Sequence, residues 1–245
     1  MHRCSAYMRN QVRELLTNYG KIDILWFDFS FPASGSDPAH GGKGKDDWES
    51  EEMVRLVRDL QPWVLIDNRL DVEGDIFTPE QIVPREWVRH PVTGERVVWE
   101  SCQTFSGSWG YYRDETSWKS PKMLIDMLIQ SVSLGGNLLM NVGPTARGCF
   151  DDRAEQALSA FGKWMHFNSR SIYGCTMAEP CFHAPENCRL TEREDGKRLY
   201  IHLLNYPFEY LSMENLADRM EYAQLLHDGG RSEEHTSELQ SRPHI

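Results

Sequence analysis

The chain has 245 residues, of which 40% are hydrophobic and 11% aromatic, and its formal net charge at pH 7 is −11. This charge disfavours a nucleic acid or an anionic membrane surface as the partner, because both are bound by clustered Lys and Arg side chains. The six cysteines form no Cys-x-x-Cys pair and no Cys/His spacing typical of zinc, which predicts free thiols and no metal site. No apolar run reaches the length that spans a bilayer, so we predict no transmembrane segment.

The first part of the chain has the pattern of alternating helices and strands. The spacing predicts a helix over 7–19, a buried strand over 22–28, a helix from Asp46 or Asp47 to about Leu60, and a second buried strand over 63–67. Helices that alternate with strands in this way are typical of parallel βα units. Residues 31–45 are rich in Gly, Pro and Ser and include an Asp, a His and two Lys, which favours a loop that lines a site rather than a core.

The pattern continues after a long irregular stretch. In order, we expect that stretch over 70–96, a third short strand over 97–100, an amphipathic helix over 121–132, a fourth strand over 137–144, and a helix from Asp151 or Asp152 to about Asn168. From Cys181 onward the loops shorten and 199–204 reads as a strand, which is consistent with the start of a separate β domain. The polar, aperiodic residues 231–245 resemble a translated sequencing adapter, and we expect an artefactual or disordered tail there.

Three of the predicted strands end in polar residues that include a carboxylate. These are Asp28, Asp67 and Glu100, and the long irregular stretch adds Glu80. Since parallel strands place their carboxyl ends on one face, these side chains are able to converge although they are far apart in sequence. Two carboxylates in one cleft are what glycoside hydrolysis needs: one attacks the anomeric carbon, and the other protonates the leaving oxygen and later activates water.

Each candidate residue also has a plainer interpretation. Asp28 equally fits the start of a loop, and Trp26, on the same side of the strand, fits either a sugar platform or the core. Glu100 fits a surface ion pair or the hydrogen-bond acceptor of a neighbouring side chain, and Glu80 fits the cap of a turn or helix. Arg69 fits a structural partner of Asp67. From these residues alone, other barrel enzymes remain open as well.

Five sequence motifs follow one another in a characteristic order. They are LLTNYGKIDILWFD at 15–28, DNR at 67–69, GDIFTPE at 74–80, WESC at 99–102 with SWGY at 108–111, and GGNLLMNVGP at 135–144. Residues 164–174 continue the series. Together these stretches resemble the α-L-fucosidases of glycoside hydrolase family 29, and the resemblance covers roughly residues 7 to 229.

The resemblance implies a retaining exo-hydrolase that releases terminal α-L-fucose from a fucosylated glycan or glycoconjugate, without a metal or organic cofactor. Asp28 matches the nucleophile of the family, and Trp26 and Arg69 match positions that contact the sugar. Glu80 matches the acid/base of one subgroup. Because the acid/base differs between branches of the family, Glu100 is the fallback. A non-catalytic carbohydrate-binding relative and another retaining glycosidase, such as a β-galactosidase-like barrel, are the alternatives.

The resemblance also implies a fold of the α/β class. We expect the latter part of a (β/α)8-like TIM barrel over 1–177 and the start of a C-terminal β-sandwich over 178–230. Two features depart from the family pattern. Phe29 follows the nucleophile position, where relatives often carry Gly, and Phe takes a positive φ only with strain. The histidine-bearing early strands that grip the fucose hydroxyls are missing, so we expect a chain truncated at both ends, with open sheet edges.

This expectation generates a prediction for residues 1–230 expressed alone. They should not hydrolyse a chromogenic α-L-fucoside, because the histidines that grip fucose are missing and the barrel core is uncovered. Release of the chromophore is followed by absorbance, against a sample of an active α-L-fucosidase. Robust turnover by residues 1–230 would refute the expectation.

Overall fold

The computed structural model describes residues 2–28, 43–206, 210–216, 219–227 and 231–232. The chain divides into two units, one made of Met1–Thr78 with Val88–Glu100 and the other of Pro79–Trp87 with Ser101–Ile245. Both units mix helices with short strands. Phe29 and most of the predicted loop over 31–45 lie outside the described residues. None of the described helices is long and apolar enough to cross a membrane.

The first unit contains the predicted alternation of helices and strands. Its elements are α1 (His2–Asn18), β1 (Ile24–Leu25), α2 (Lys45–Trp48), α3 (Ser50–Leu60), β2 (Leu65–Ile66), β3 (Ile76–Phe77) and the start of β4 (Val98–Thr104). Strands β1 and β2 pair in parallel with Leu25 opposite Ile66. Strands β3 and β4 also pair in parallel, with Phe77 opposite Trp99. Parallel pairing is the arrangement that the βα pattern in the sequence predicts.

An apolar cluster holds the first unit together. Val12 and Leu16 are four residues apart and lie on one face of α1. Met53 and Val57 repeat that spacing on α3 and are fully buried. These side chains pack against the strand residues and the segment that leads to the candidate site; the cluster also includes Phe27, Val64, Ile66 and Leu70.

Two predictions for this unit are wrong in detail. The helix expected from Asp46 or Asp47 to Leu60 is two helices, because Glu49 adopts the left-handed conformation (φ +52°) between α2 and α3. The strands expected over 22–28 and 63–67 are each two residues long. They are not buried on both faces either, since Ile24 remains 46% exposed.

The second unit contains further helices and short strands. In chain order it has the end of β4, then α4 (Pro121–Ser133), β5 (Asn137–Asn141), α5 (Asp152–Asn168), a 3₁₀ turn (Ser169–Ser171), β6 (Cys175–Met177), β7 (Cys188–Arg193), β8 (Leu199–Leu203), β9 (Ala223–Gln224) and β10 (Arg231–Ser232). Strand β5 neighbours β4 in a sheet, and β6, β7 and β8 form a separate antiparallel sheet.

Local sequence signals explain the helix starts of the second unit. The Ser120 hydroxyl accepts the backbone N–H of Met123 at 3.2 Å and caps α4. The Asp151 carboxylate accepts the backbone N–H of Arg153 at 2.9 Å and caps α5, one of the two caps predicted there.

At the far end, β10 pairs antiparallel with β9. The first two residues of the predicted tail are therefore in a strand, and 233–245 lie outside the described residues.

Gly135 occupies a turn of the second unit that admits no side chain. Its φ is +77°, and a Cβ atom added there would lie 2.2 Å from Cε3 of the Trp87 indole. Gly148 has the same φ of +77° but no heavy atom within 4 Å of the corresponding Cβ position. Gly148 therefore needs glycine for its positive φ alone, whereas Gly135 needs it both for its positive φ and for the space beside Trp87.

We predict that Gly135→Ala will destabilise the protein more than Gly148→Ala. The backbone strain of alanine in the left-handed region should cost about 1–2 kcal/mol at both positions. Overlap with the Trp87 ring should cost about 1–3 kcal/mol more at Gly135 alone. Urea unfolding of the two variants measures the difference, and equal losses of stability would contradict the tight Gly135–Trp87 contact.

Candidate active site

Asp28 and Arg69 form an ion pair at the carboxyl ends of β1 and β2. Nη1 of Arg69 donates to Oδ1 of Asp28 at 2.8 Å. The Arg69 side chain is 17% exposed, whereas that of Asp28 is 67% exposed. Since a guanidinium stays protonated, it balances the charge of the carboxylate, and the exposed carboxylate remains accessible to a ligand.

The guanidinium of Arg69 is fixed from its other side by Thr78. Nε of Arg69 donates to the Thr78 hydroxyl at 3.0 Å, and Nη2 donates to the Thr78 carbonyl oxygen at 3.3 Å. The Thr78 hydroxyl in turn donates to Oδ1 of Asn68 at 2.8 Å. Because the guanidinium is planar, these contacts set the direction in which Nη1 meets Asp28.

Trp26 extends this cluster towards Glu100. The guanidinium carbon of Arg69 lies 4.7 Å from the centre of the Trp26 ring, a cation–π contact. The indole Nε1 donates to Oε1 of Glu100 at 3.1 Å. Trp26 is partly buried and lies outside the apolar cluster of the first unit. Of the interpretations open for Glu100 in the sequence, the structure shows the hydrogen-bond acceptor.

Asp67 lies beneath the ion pair and is fully buried. Its Oδ1 accepts the backbone N–H of Phe27 at 3.2 Å, and the backbone N–H of Arg69 also donates to this carboxyl group. Burial raises the pKa of Asp67 to about 6, against the opposing effect of these two hydrogen bonds and of the Arg69 charge. Among the described residues its Oδ2 has no hydrogen-bond partner.

Glu80 belongs to the second unit, where its backbone is held beside β4. The Cys102 N–H donates to the Pro79 carbonyl at 3.0 Å, and the Gln81 N–H donates to the Cys102 carbonyl at 2.8 Å. Gln81 takes the left-handed conformation with φ +56°. The cap of a helix, one interpretation of Glu80, is wrong, because the residue forms a parallel bridge to Cys102 and begins no helix. Its side chain is exposed.

Two motifs of the second unit contact each other. Nδ2 of Asn141 donates to the Trp109 carbonyl at 2.6 Å. A Cβ atom added to Gly143 would lie 2.6 Å from the Gly110 carbonyl carbon, so the two backbones approach closely. The exposed Tyr111 and Tyr112 line a shallow cavity next to this contact.

The sequence identified Asp28, Arg69, Trp26 and Glu100, and the structure brings these side chains together in the first unit. Sequence reasoning missed the hydrogen bonds of Asp67 to the backbone that flanks the ion pair. The one available signal is its position directly after β2, in line with Asp28 after β1. Nothing in the sequence identifies Thr78 as the acceptor that orients Arg69.

Comparison with known proteins gives a consistent result. The family model described as Alpha-L-fucosidase matches residues 2–170. The α-L-fucosidase of Dictyostelium discoideum is 40% identical over 178 residues, which are 68% of this chain and 35% of that protein. The chain thus spans about a third of the length of the curated relatives it matches.

Solved structures agree. α-L-Fucosidase isoenzyme 1 from Paenibacillus thiaminolyticus is similar with a TM-score of 0.83 and 37% identity, over 94% of this chain and 54% of that one. A family 29 α-L-fucosidase from Bacteroides thetaiotaomicron, solved as a trapped covalent intermediate in complex with 2-fluoro-fucosyl fluoride, is similar with a TM-score of 0.75 and 26% identity, with the same coverage.

The raised pKa of Asp67 predicts a pH dependence of stability. Between about pH 4 and pH 6 the folded protein holds a proton that the unfolded chain releases, so the free energy of unfolding falls as the pH rises. A shift from the usual 3.8 to about 6 corresponds to about 3 kcal/mol. Asp67→Asn removes this titration. Urea unfolding from pH 4 to pH 7 should therefore show the stability of wild type relative to Asp67→Asn decreasing with pH, and a constant difference would contradict the shifted pKa.

Proposed function

Because this chain belongs to the α-L-fucosidase family, glycoside hydrolase family 29, we propose that the protein releases terminal α-L-fucose from fucosylated glycans with retention of configuration. The observation that carries the proposal is the ion pair between the exposed Asp28 and the guanidinium of Arg69, which lies inside the region matched by the family model. No metal or organic cofactor takes part in the proposed reaction.

Asp28 is proposed as the nucleophile. One oxygen of its carboxylate attacks the anomeric carbon of fucose while the bond from that carbon to the leaving oxygen breaks, giving a fucosyl ester on Asp28. The acid/base donates a proton to the leaving oxygen, later takes a proton from water, and that water cleaves the ester and frees Asp28. The hydrogen bond from Nη1 of Arg69 supports this role, because it fixes one carboxylate oxygen and so orients the other.

Trp26 and Arg69 are proposed to contact the sugar. An indole face matches the apolar C–H face of a pyranose, and the cation–π contact with Arg69 keeps the ring beside the nucleophile. The Nε1–H···Glu100 hydrogen bond fixes the rotation of the same ring. A platform held on two sides loses little conformational freedom when a ligand binds.

Glu80 is proposed as the acid/base, with Glu100 as the fallback. Glu80 supports this role by its exposed side chain on a backbone that is held on both sides by hydrogen bonds to Cys102. Glu100 already accepts the indole N–H of Trp26, and this contact supports a role in orienting the platform. The two glutamates are therefore assigned different roles that mutation separates.

We also propose the finer fold that the family membership implies. Residues 1–177 are proposed as part of a TIM barrel and 178–230 as the start of a C-terminal β-sandwich. The parallel pairs β1–β2 and β3–β4 support the first part. The antiparallel sheet β6–β7–β8 supports the second.

The nucleophile is tested by covalent trapping in the protein expressed from its complete coding sequence. A 2-fluoro-fucosyl fluoride should label Asp28, detected by mass spectrometry of the digested protein. Asp28→Gly should lower kcat by several orders of magnitude, because no ester can form. The matched control is Asp23→Asn, which removes an exposed carboxylate paired with Lys21 and should leave kcat unchanged. A label on another side chain, or no label, would contradict Asp28 as the nucleophile. A wild-type protein that binds fucosides without turnover, with binding unaltered in Asp28→Gly, would favour a carbohydrate-binding protein instead.

The acid/base is tested by Glu80→Gln and Glu100→Gln in the same protein. Loss of a general acid/base should lower hydrolysis of an unactivated fucoside by roughly 10²–10⁴-fold. On an aryl fucoside whose leaving group needs no protonation, azide should attack the fucosyl ester in place of water and restore turnover with release of fucosyl azide. We expect this pattern for Glu80→Gln. Glu100→Gln should retain most activity, since a glutamine oxygen still accepts the Trp26 N–H. The reverse pattern would assign the acid/base to Glu100.

A further inference from the structure

The ladder between β1 and β2 is continued by a side chain. Backbone pairing ends with Leu25 opposite Ile66. Past that point, Oδ1 of Asp67 accepts the backbone N–H of Phe27 at 3.2 Å. Phe27 directly precedes Asp28, so this hydrogen bond fixes the Trp26–Phe27 peptide, one residue before the proposed nucleophile.

The same carboxyl group also fixes the other member of the ion pair. The backbone N–H of Arg69 donates to Asp67 two residues earlier in the chain, a turn that aspartate side chains commonly form. The Asp67 side chain thus accepts the N–H of Phe27, the residue before Asp28, and the N–H of Arg69 itself. One buried carboxyl group therefore joins the backbone just before Asp28 to the backbone of Arg69.

The backbone of Asp67 is held in turn. Asp67 bridges in parallel to Ile76. A Cβ atom added to Gly74 would lie 2.3 Å from the Asp67 carbonyl oxygen, so the chain approaches this carbonyl as closely as only glycine allows. The carboxyl group consequently projects from a backbone with little room to move.

An aspartate is a costly residue for this place if its role is only structural. It is fully buried beside a second carboxylate, Asp28, and its Oδ2 has no hydrogen-bond partner among the described residues. An uncompensated buried oxygen of this kind costs free energy. Charge-assisted acceptance of two N–H groups is the gain that aspartate offers over a neutral residue.

We propose that Asp67 is a positioning residue, which holds the Asp28 nucleophile and the Arg69 guanidinium in register by accepting the backbone N–H groups of Phe27 and Arg69. The proposal rests on the function proposed above. Asp67 acts through these two residues and does not touch the sugar. Since a displacement of about 1 Å at a reacting group costs about 100-fold in rate, loss of this carboxyl group should appear in kcat.

The test compares Asp67→Ala, Asp67→Asn and Asp75→Asn in the protein expressed from its complete coding sequence. Asp75 is the matched control, because its carboxylate also accepts a backbone N–H, that of Ile66 at 2.8 Å. Its other partner is Arg58, and in the part of the chain that the structure describes its carboxylate contacts neither Phe27 nor Arg69. Each variant is measured for kcat, KM, the pH dependence of kcat/KM, and the rate at which 2-fluoro-fucosyl fluoride labels Asp28.

Asp67→Ala should lower kcat and the labelling rate by about 100-fold, with KM changed by less than about 3-fold because the sugar contacts remain. Asp67→Asn keeps an acceptor oxygen and should retain kcat within about 10-fold. In the wild type, kcat/KM should fall below about pH 6, because protonation of Asp67, which Arg69 and Asp28 influence, weakens both hydrogen bonds. Asp67→Asn cannot be protonated in this way and should not show that fall. Asp75→Asn should match the wild type in all four measurements.

Two results would overturn the proposal. One is a folded Asp67→Ala with the kcat and labelling rate of the wild type, or with a loss confined to KM. The other, decisive if Asp67→Ala does not fold, is an Asp67→Asn variant whose pH profile matches the wild type. The activity and the labelling site of the wild type are measured first. A wild-type protein that is inactive, or that is labelled on a residue other than Asp28, refutes the proposed function itself and not the role of Asp67.

Discussion

The guanidinium of Arg69 is the group through which the parts of the candidate site meet. Its three nitrogens contact Asp28 and two atoms of Thr78, and its face lies on Trp26. A lysine in this place would offer one point charge without the planar fork, and could not meet all of these partners in fixed directions. The orientation of the proposed nucleophile, Asp28, therefore depends on the delocalised cation as much as on the aspartate itself.

The contacts around Arg69 also join motifs that are far apart in the sequence. Trp26 belongs to the first motif, Arg69 to the second, Thr78 to the third and Glu100 to the fourth, and each makes a contact with another in the first unit. Each of these residues lies in or shortly after a strand of the two parallel pairs, β1–β2 and β3–β4. Their spacing in the chain is set by the helices and irregular segments between the strands.

Much of the fold could be predicted from sequence because its signals are local. The sequence also named Asp28, Arg69, Trp26 and Glu100 as candidates, and the structure brings these side chains together. The 3.6-residue apolar spacing gave the helices, and Asp151 gave the start of α5. The strands predicted over 22–28 and 63–67 came out shorter, whereas the one predicted over 97–100 extends to Thr104. Strand length depends on which backbone groups find partners, and Ile24 and Leu65 stay exposed where burial was expected. The break at Glu49 and the hydrogen bonds of Asp67 depend on contacts between residues far apart in sequence. No local pattern encodes them.

The close approach of Gly143 to Gly110 has a practical consequence for engineering. The hydrogen bond from Asn141 to the Trp109 carbonyl adds a second contact between the same two segments, 106–118 and 137–144. The conformation of one segment therefore constrains the conformation of the other. A loop transplanted here from a relative would have a backbone conformation that fits the corresponding strand of that relative. Grafts at 106–118 therefore need residues 137–144 from the same donor.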